Sequence, residues 1–113
     1  MSKEPLEYVK HIRDEIAFIL SVVDVNLTKE AFLEDETLKR AVIRSLEIIG
    51  EATKKIPIDF KQKWNSITWK NMAGMRDRLI HDYMGVNYTI IWDVVKNKIP
   101  ELHKQINEVL EKE

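Results

Sequence analysis

The apolar residues of this chain recur at steps of three and four over most of its length, the spacing that lines one face of an α-helix. Val9, Ile12, Ile16, Ile19, Leu20 and Val23 draw one such stripe, while Lys10, Arg13, Asp14 and Glu15 fall mostly on the other face. The pattern predicts a first helix from Pro5 to about Val25, with Ser2 placed to cap it and the proline tolerated in its first turn. Thr28 is set to cap a helical turn through Phe32. Asp35 then caps a second long helix, about Glu36 to Lys55, in which Leu38, Val42, Ser45, Ile49, Ala52 and Ile56 form a 4-3-4-3-4 seam. Ala41, Ile43, Leu46 and Ile48 widen that seam, so this helix should be largely buried, and Pro57 stops it. At 1.5 Å per residue both helices measure about 30 Å, long enough to pair along their whole length.

The second half is less regular. Ile58–Trp64 reads either as a helical turn or as connector. A third helix begins at Thr68, a cap ahead of Trp69, and ends at Gly85, placed for a left-handed position just past the helix. A fourth begins after Asn87 and runs through Tyr88, Ile91, Trp92 and Val95 to about Lys98. Pro100 interrupts it, and Leu102, Ile106, Val109 and Leu110 continue as a terminal helix. The β-branched stretch Tyr88–Val95 would also suit a strand, but a lone strand has no partner, so helix is predicted. The expected fold is all-α: an antiparallel bundle of four to five helices forming one domain over residues 1–113.

Composition narrows the picture. With three glycines and three prolines there is little turn chemistry, which excludes the many hairpins of an all-β fold. Cysteine is absent, so disulfides and thiolate metal sites are excluded. Met1–Pro5 lacks the apolar stretch of a signal peptide, and no apolar run approaches the roughly 20 residues that span a bilayer. A cytoplasmic protein without membrane attachment is predicted. The net charge is −1, without the basic excess of a dedicated nucleic-acid binder, so any RNA contact must come from a local basic patch or from a partner.

One segment concentrates reactive side chains. Arg76-Asp77-Arg78-Leu79-Ile80-His81-Asp82-Tyr83 carries two arginines, two aspartates, a histidine and a tyrosine at the end of the third helix. Read blandly, this is a solvated helix end in which Arg78 and Asp82, at i and i+4, make a surface ion pair of about 0.3–0.5 kcal/mol. Read chemically, His81 sits in the last turn, where the helix dipole favours its protonated form. Asp77, one turn earlier, is spaced to orient the imidazole, and Arg76 offers a permanently charged fork for bidentate phosphate contact. Five residues separate Arg76 from His81, about 140° around the helix, so the two converge only if the helix end distorts or a second subunit contributes.

The pattern Arg76-x4-His81-x-Tyr83 resembles the R-x4-H-x-Y signature of HepT-like toxins, which belong to the HEPN group of ribonucleases. Arg40–Ala52 is similar to that family's second helix. Trp69, Met72–Asp77 and His81–Val86 are similar to its central segment, and Ile91-Trp92 with Ile99–Leu102 to its C-terminal part. The resemblance covers nearly the whole chain, with the three blocks in order.

What the resemblance implies is the toxin of a type II toxin–antitoxin pair: a metal-independent, cofactor-free endoribonuclease in which the RNA 2′-hydroxyl attacks its own phosphate. His81 would serve as general base or acid and Arg76 would stabilise the phosphorane, with Asp77 and Arg78 in support. The family works as a homodimer whose two motifs face a shared cleft, which supplies the second histidine that base and acid together require. Its partner is a small nucleotidyltransferase antitoxin that transfers AMP to the motif tyrosine, here Tyr83, placing negative charge where RNA phosphate would sit. The alternative is a non-catalytic helical subunit presenting substrate or a regulatory surface to such a nucleotidyltransferase.

Other positions carry less. Glu47 and Glu51 are one turn apart and, with Arg40 and Arg44 nearby, fit a network that positions the third helix better than a metal site. Gly50, inside the second long helix, costs about 1 kcal/mol relative to alanine. Close approach of a neighbouring helix would account for it, as would tolerance of a mild defect. Trp64, Trp69 and Trp92 read as core or interface anchors, and His11 and His103 as surface residues.

Overall fold

A computed structural model describes residues 5–81 and 85–113, the side chains of Ile80 and His81 excepted. Among the described residues the protein is all-helical: α1 (Pro5–Val22), α2 (Lys29–Glu34), α3 (Glu36–Lys55), α4 (Ile58–Lys63), α5 (Trp69–His81), α6 (Tyr88–Asp93), a π-helical turn (Val94–Lys98) and α7 (Ile99–Lys112). Helix α3 lies between α1 and α5, and α7 packs on α1. The stripe on α1 is the centre of the core: Val9, Ile12, Ile16 and Ile19 have no solvent exposure. The seam on α3 faces it with Val42, Ser45, Ile49, Ala52 and Ile56 all buried.

Caps set where these helices start. Thr28 accepts from the Ala31 amide at 3.1 Å, Asp35 from Leu38 at 2.9 Å, and Asn87 from Thr89 at 3.0 Å and Ile90 at 3.3 Å. Each satisfies amides that the first turn leaves without intrahelical partners. The expected bundle of four to five helices gains two short members, because α2 and α4 are independent six-residue helices. Helix α1 ends at Val22, three residues short of the expected Val25, which is 90% exposed. Helix α5 is described to His81, and the cap expected of Gly85 follows directly on residues outside the described range.

Pro100 does not break the helix as expected. Backbone angles stay in the right-handed helical region through Lys98 and Ile99, and the Ile99 amide donates to the Val94 carbonyl, five residues back. A proline ring clashes with the carbonyl four residues earlier, and one widened turn just ahead of it removes the clash while keeping the helix running. Val95 and Ile99 therefore remain in the core with Leu102, Ile106 and Val109.

Polar contacts fasten the periphery. Lys39 is buried, pairs with Glu36 at 3.0 Å and stands 4.6 Å over the Tyr88 ring, tying α6 to α3. The tryptophans act as anchors. Trp92 stacks tilted on Phe32 with centroids 5.3 Å apart; Trp69 is buried and donates to the Trp64 carbonyl at 3.0 Å; Trp64 donates to the Glu113 carboxylate at 2.8 Å. His11 is exposed and His103 half-buried.

Candidate active site at the α3–α5 crossing

The described part of the reactive segment is built where α5 crosses α3. Gly50 is the reason the two helices come so close. A Cβ added there would stand inside the van der Waals shell of the Arg76 Cβ, 2.9 Å from the Arg76 Cγ and 2.9 Å from the Met72 carbonyl oxygen. The Arg76 stem therefore lies directly on the α3 backbone. Of the two readings open for Gly50, close approach is the one the structure supports.

From that anchor the guanidinium runs between two carboxylates. Its Nη1 donates to Asp77 Oδ1 at 3.2 Å and its Nη2 reaches Glu51 Oε1 on α3 at 3.5 Å. The side chain is 26% exposed, and its buried Nε has no hydrogen-bond partner among the described residues. Asp77 Oδ1 also accepts from the Lys54 ammonium, in the last turn of α3. The order in space is Glu51, Arg76, Asp77, Lys54, with signs alternating. The Lys54 hydrogen bond holds the Asp77 carboxyl below its ordinary range against the opposing effect of burial, and Arg76 adds to the lowering. Asp77 is thus a carboxylate at neutral pH, an acceptor and not a proton donor.

Arg76, expected to offer a permanently charged fork for phosphate, is flanked by two carboxylates, and the four-residue chain carries no net charge. Its asset is a fixed planar fork of donors. Arg78 is the exposed cation of the segment. Asp77 was expected to orient His81, whose side chain lies outside the described residues; among those described, Asp77 bonds Arg76 and Lys54. Asp82 and Tyr83 also lie outside the described residues, and with them the expected Arg78–Asp82 pair and the tyrosine modification site. Helix α5 does carry the His81 backbone.

Glu47 and Glu51 belong to ion pairs, Glu47 with Arg44 at 3.8 Å and Glu51 with Arg76, in keeping with the positioning network read from the sequence. Among the described residues no group of three or more histidine, cysteine, aspartate or glutamate side chains could hold a metal. No described helix is long and apolar enough to cross a membrane. Lys54 was missed in the sequence. Its signal was a glycine inside a helix, with a carboxylate next to it and a lysine one turn on.

A cavity also opens elsewhere. About 380 Å³ opens between α3, α5 and α7, walled mainly by Leu46, Ile49, Met72, Met75, Ile99 and Leu102. Polar side chains including Asn71, Lys98, Glu101 and Gln105 share its wall, and none of Arg76, Asp77 or Arg78 lines it. A smaller pocket of about 90 Å³ adjoins the reactive segment, with Arg78, Leu79, Val86 and Ile90 in its wall. Of the described charged residues of the segment, Arg78 lines this second pocket, while Arg76 and Asp77 line neither.

Comparison with known proteins bears on the family of the chain. The sequence profile described as "Ribonuclease HepT-like" matches residues 6–109. A protein of Caldanaerobacter subterraneus subsp. tengcongensis named "Putative RNase TTE0752" is 50% identical over 111 residues, covering 98% of each chain. "Putative RNase MJ0127" of Methanocaldococcus jannaschii is 52% identical over 85 residues, 75% of this chain and 70% of its own. "Probable ribonuclease HepT" of Thermococcus cleftensis is 46% identical over 99 residues, 88% of this chain and 80% of its own. No solved structure matches.

Proposed function

Because the chain belongs to the HepT-like ribonuclease family, we propose that it is a metal-independent endoribonuclease acting as the toxin of a toxin–antitoxin pair. The 2′-oxygen of the RNA forms a bond to the adjacent phosphorus and the bond from phosphorus to the 5′-oxygen breaks. The products are a cyclic phosphate and a 5′-hydroxyl. One proton leaves the attacking 2′-hydroxyl and one is delivered to the departing oxygen. His81 takes one of these steps and the His81 of a second copy the other, across a cleft between two protomers. Arg76 meets the charge that builds on the phosphorane oxygens.

The observation that supports this reading best is the mounting of Arg76. A guanidinium braced by its stem on Gly50 and flanked at its fork by two carboxylates is set before substrate arrives, the condition under which a donor stabilises a transition state without reorganising. Asp77, ionised by Lys54, is unsuited to general acid work, which leaves proton transfer to the histidine of the segment. Restraint comes from a nucleotidyltransferase partner that transfers AMP to Tyr83, adding negative charge beside the site.

The test is cleavage by the purified chain of structured and unstructured RNA, with cyclic-phosphate ends as the readout. His81→Ala and Arg76→Ala should each lower the rate by about 100-fold or more while far-UV circular dichroism stays that of the parent. His81→Ala protein that cuts as fast as the parent overturns the assignment.

A further inference from the structure

The described residues around Arg76 contain a carboxylate that the motif itself does not supply. Glu51 lies on α3, 25 positions away in the chain, and accepts from Nη2 of the guanidinium while Asp77 accepts from Nη1. Without it Arg76 would have one carboxylate within reach, that of its own neighbour. An arginine fork facing a single carboxylate closes on it in a bidentate pair. Closed that way, the donors needed by a phosphate would be spent on Asp77.

We propose that Glu51 is a positioning residue of this ribonuclease: by pulling Nη2 toward α3 it keeps the Arg76 fork spread between two acceptors and aimed at the RNA phosphate. The inference rests on the functional reading above and extends it to a residue outside the motif. Three features of the arrangement fit that role and not a merely stabilising ion pair. Gly50, next to Glu51, is the residue that lets the Arg76 stem reach α3 at all. Lys54, one turn further on α3, donates to the same Asp77 oxygen as Arg76, Oδ1, and so competes with any collapse of Arg76 onto it. The Glu51–Arg76 separation of 3.5 Å is at the outer limit of a hydrogen bond, too long to serve as a strong clasp but sufficient to bias where the fork points. One face of α3 thus contributes a glycine, a carboxylate and an ammonium, each acting on the Arg76–Asp77 pair.

The test compares the parent chain with Glu51→Gln, which keeps the shape and an acceptor oxygen but loses the charge, and Glu51→Asp, which keeps the charge on a shorter arm. Single-turnover cleavage should fall roughly 10- to 100-fold in Glu51→Gln, as a misplaced catalytic group costs. KM should change less than about threefold, and Glu51→Asp should recover part of the loss. In an Arg76→Lys background, where no fork remains to be aimed, Glu51→Gln should do almost nothing further. A readout independent of catalysis is the Arg76 Nε–H resonance in nitrogen-15 NMR, which its burial should protect in the parent and which should broaden in Glu51→Gln. Cleavage and resonance both unchanged in Glu51→Gln overturn the inference and leave the functional reading standing. A multiplicative loss in the double variant, or a loss that tracks a fall in Tm, also overturns it. A parent chain that cuts no RNA removes the functional reading itself.

Discussion

Gly50 offers a direct measure of how tightly α5 is held on α3. In an isolated helix, replacing it with alanine would stabilise by about 1 kcal/mol, since glycine is the poorer helix former. Here the new Cβ would overlap the Arg76 Cβ and stand 2.9 Å from both the Arg76 Cγ and the Met72 carbonyl oxygen. Normal carbon contacts are about 3.5–4.0 Å, so clearing the Arg76 Cβ takes a retreat of α5 of more than about 1 Å. None of the atoms met is the free end of a flexible side chain; two belong to the root of Arg76 and one to backbone. Overpacking of this kind costs about 1–3 kcal/mol, and the rigidity of the neighbours places it at the upper end. After the propensity gain, Gly50→Ala should be less stable by roughly 2 kcal/mol, which for a chain of this size lowers Tm by about 8–10 °C. The retreat would also carry Arg76 away from Glu51, so RNA cleavage should fall at temperatures where the variant is fully folded. Gly74 provides the control. It lies in α5 and an added Cβ there has no neighbour within 4 Å, so Gly74→Ala should gain about 1 kcal/mol and raise Tm by a few degrees. Thermal unfolding followed by circular dichroism, at matched protein concentration, measures both. A Gly50→Ala chain as stable as the parent would refute the close crossing and the mounting of Arg76 derived from it.

Two further outcomes follow from the same site. The Asp77 carboxyl is lowered from its ordinary 3.8 chiefly by the Lys54 hydrogen bond. A depressed folded value means that its contribution to stability is complete above the unfolded value and is lost as pH falls through the folded one. The Tm difference between parent and Asp77→Asn should therefore be constant above about pH 5 and shrink below it, and a difference that persists unchanged into strong acid would contradict the Lys54 pairing. Incubation with ATP and a cognate nucleotidyltransferase should add the mass of AMP to the intact chain, and Tyr83→Phe should abolish the addition; an undiminished increment in that variant would move the acceptor elsewhere.

The periodicity of apolar residues determined the helices and the core because burial in a bundle is decided by position around a helix, which spacing alone reports. The bounds of α3 followed from Asp35 and Pro57, whose effects act within one turn. The motif residues Arg76, Asp77, His81 and Tyr83 were legible for a similar reason: their types and spacing occur within a single stretch of chain. What lay beyond reach were contacts between stretches. No spacing rule links Glu51 to Arg76 or Lys54 to Asp77, 25 and 23 positions apart. Their pairing depends on the register of α3 against α5, which is fixed by how two surfaces interlock around Gly50. The continuity of the last helix was likewise a tertiary outcome. Pro100 alone predicts a break, but Val95, Ile99 and Leu102 gain enough from staying in the core that the backbone widens by one turn and continues. Local chemistry wrote the elements and the reactive segment; the neutral, spread mounting of Arg76 exists only once two helices meet.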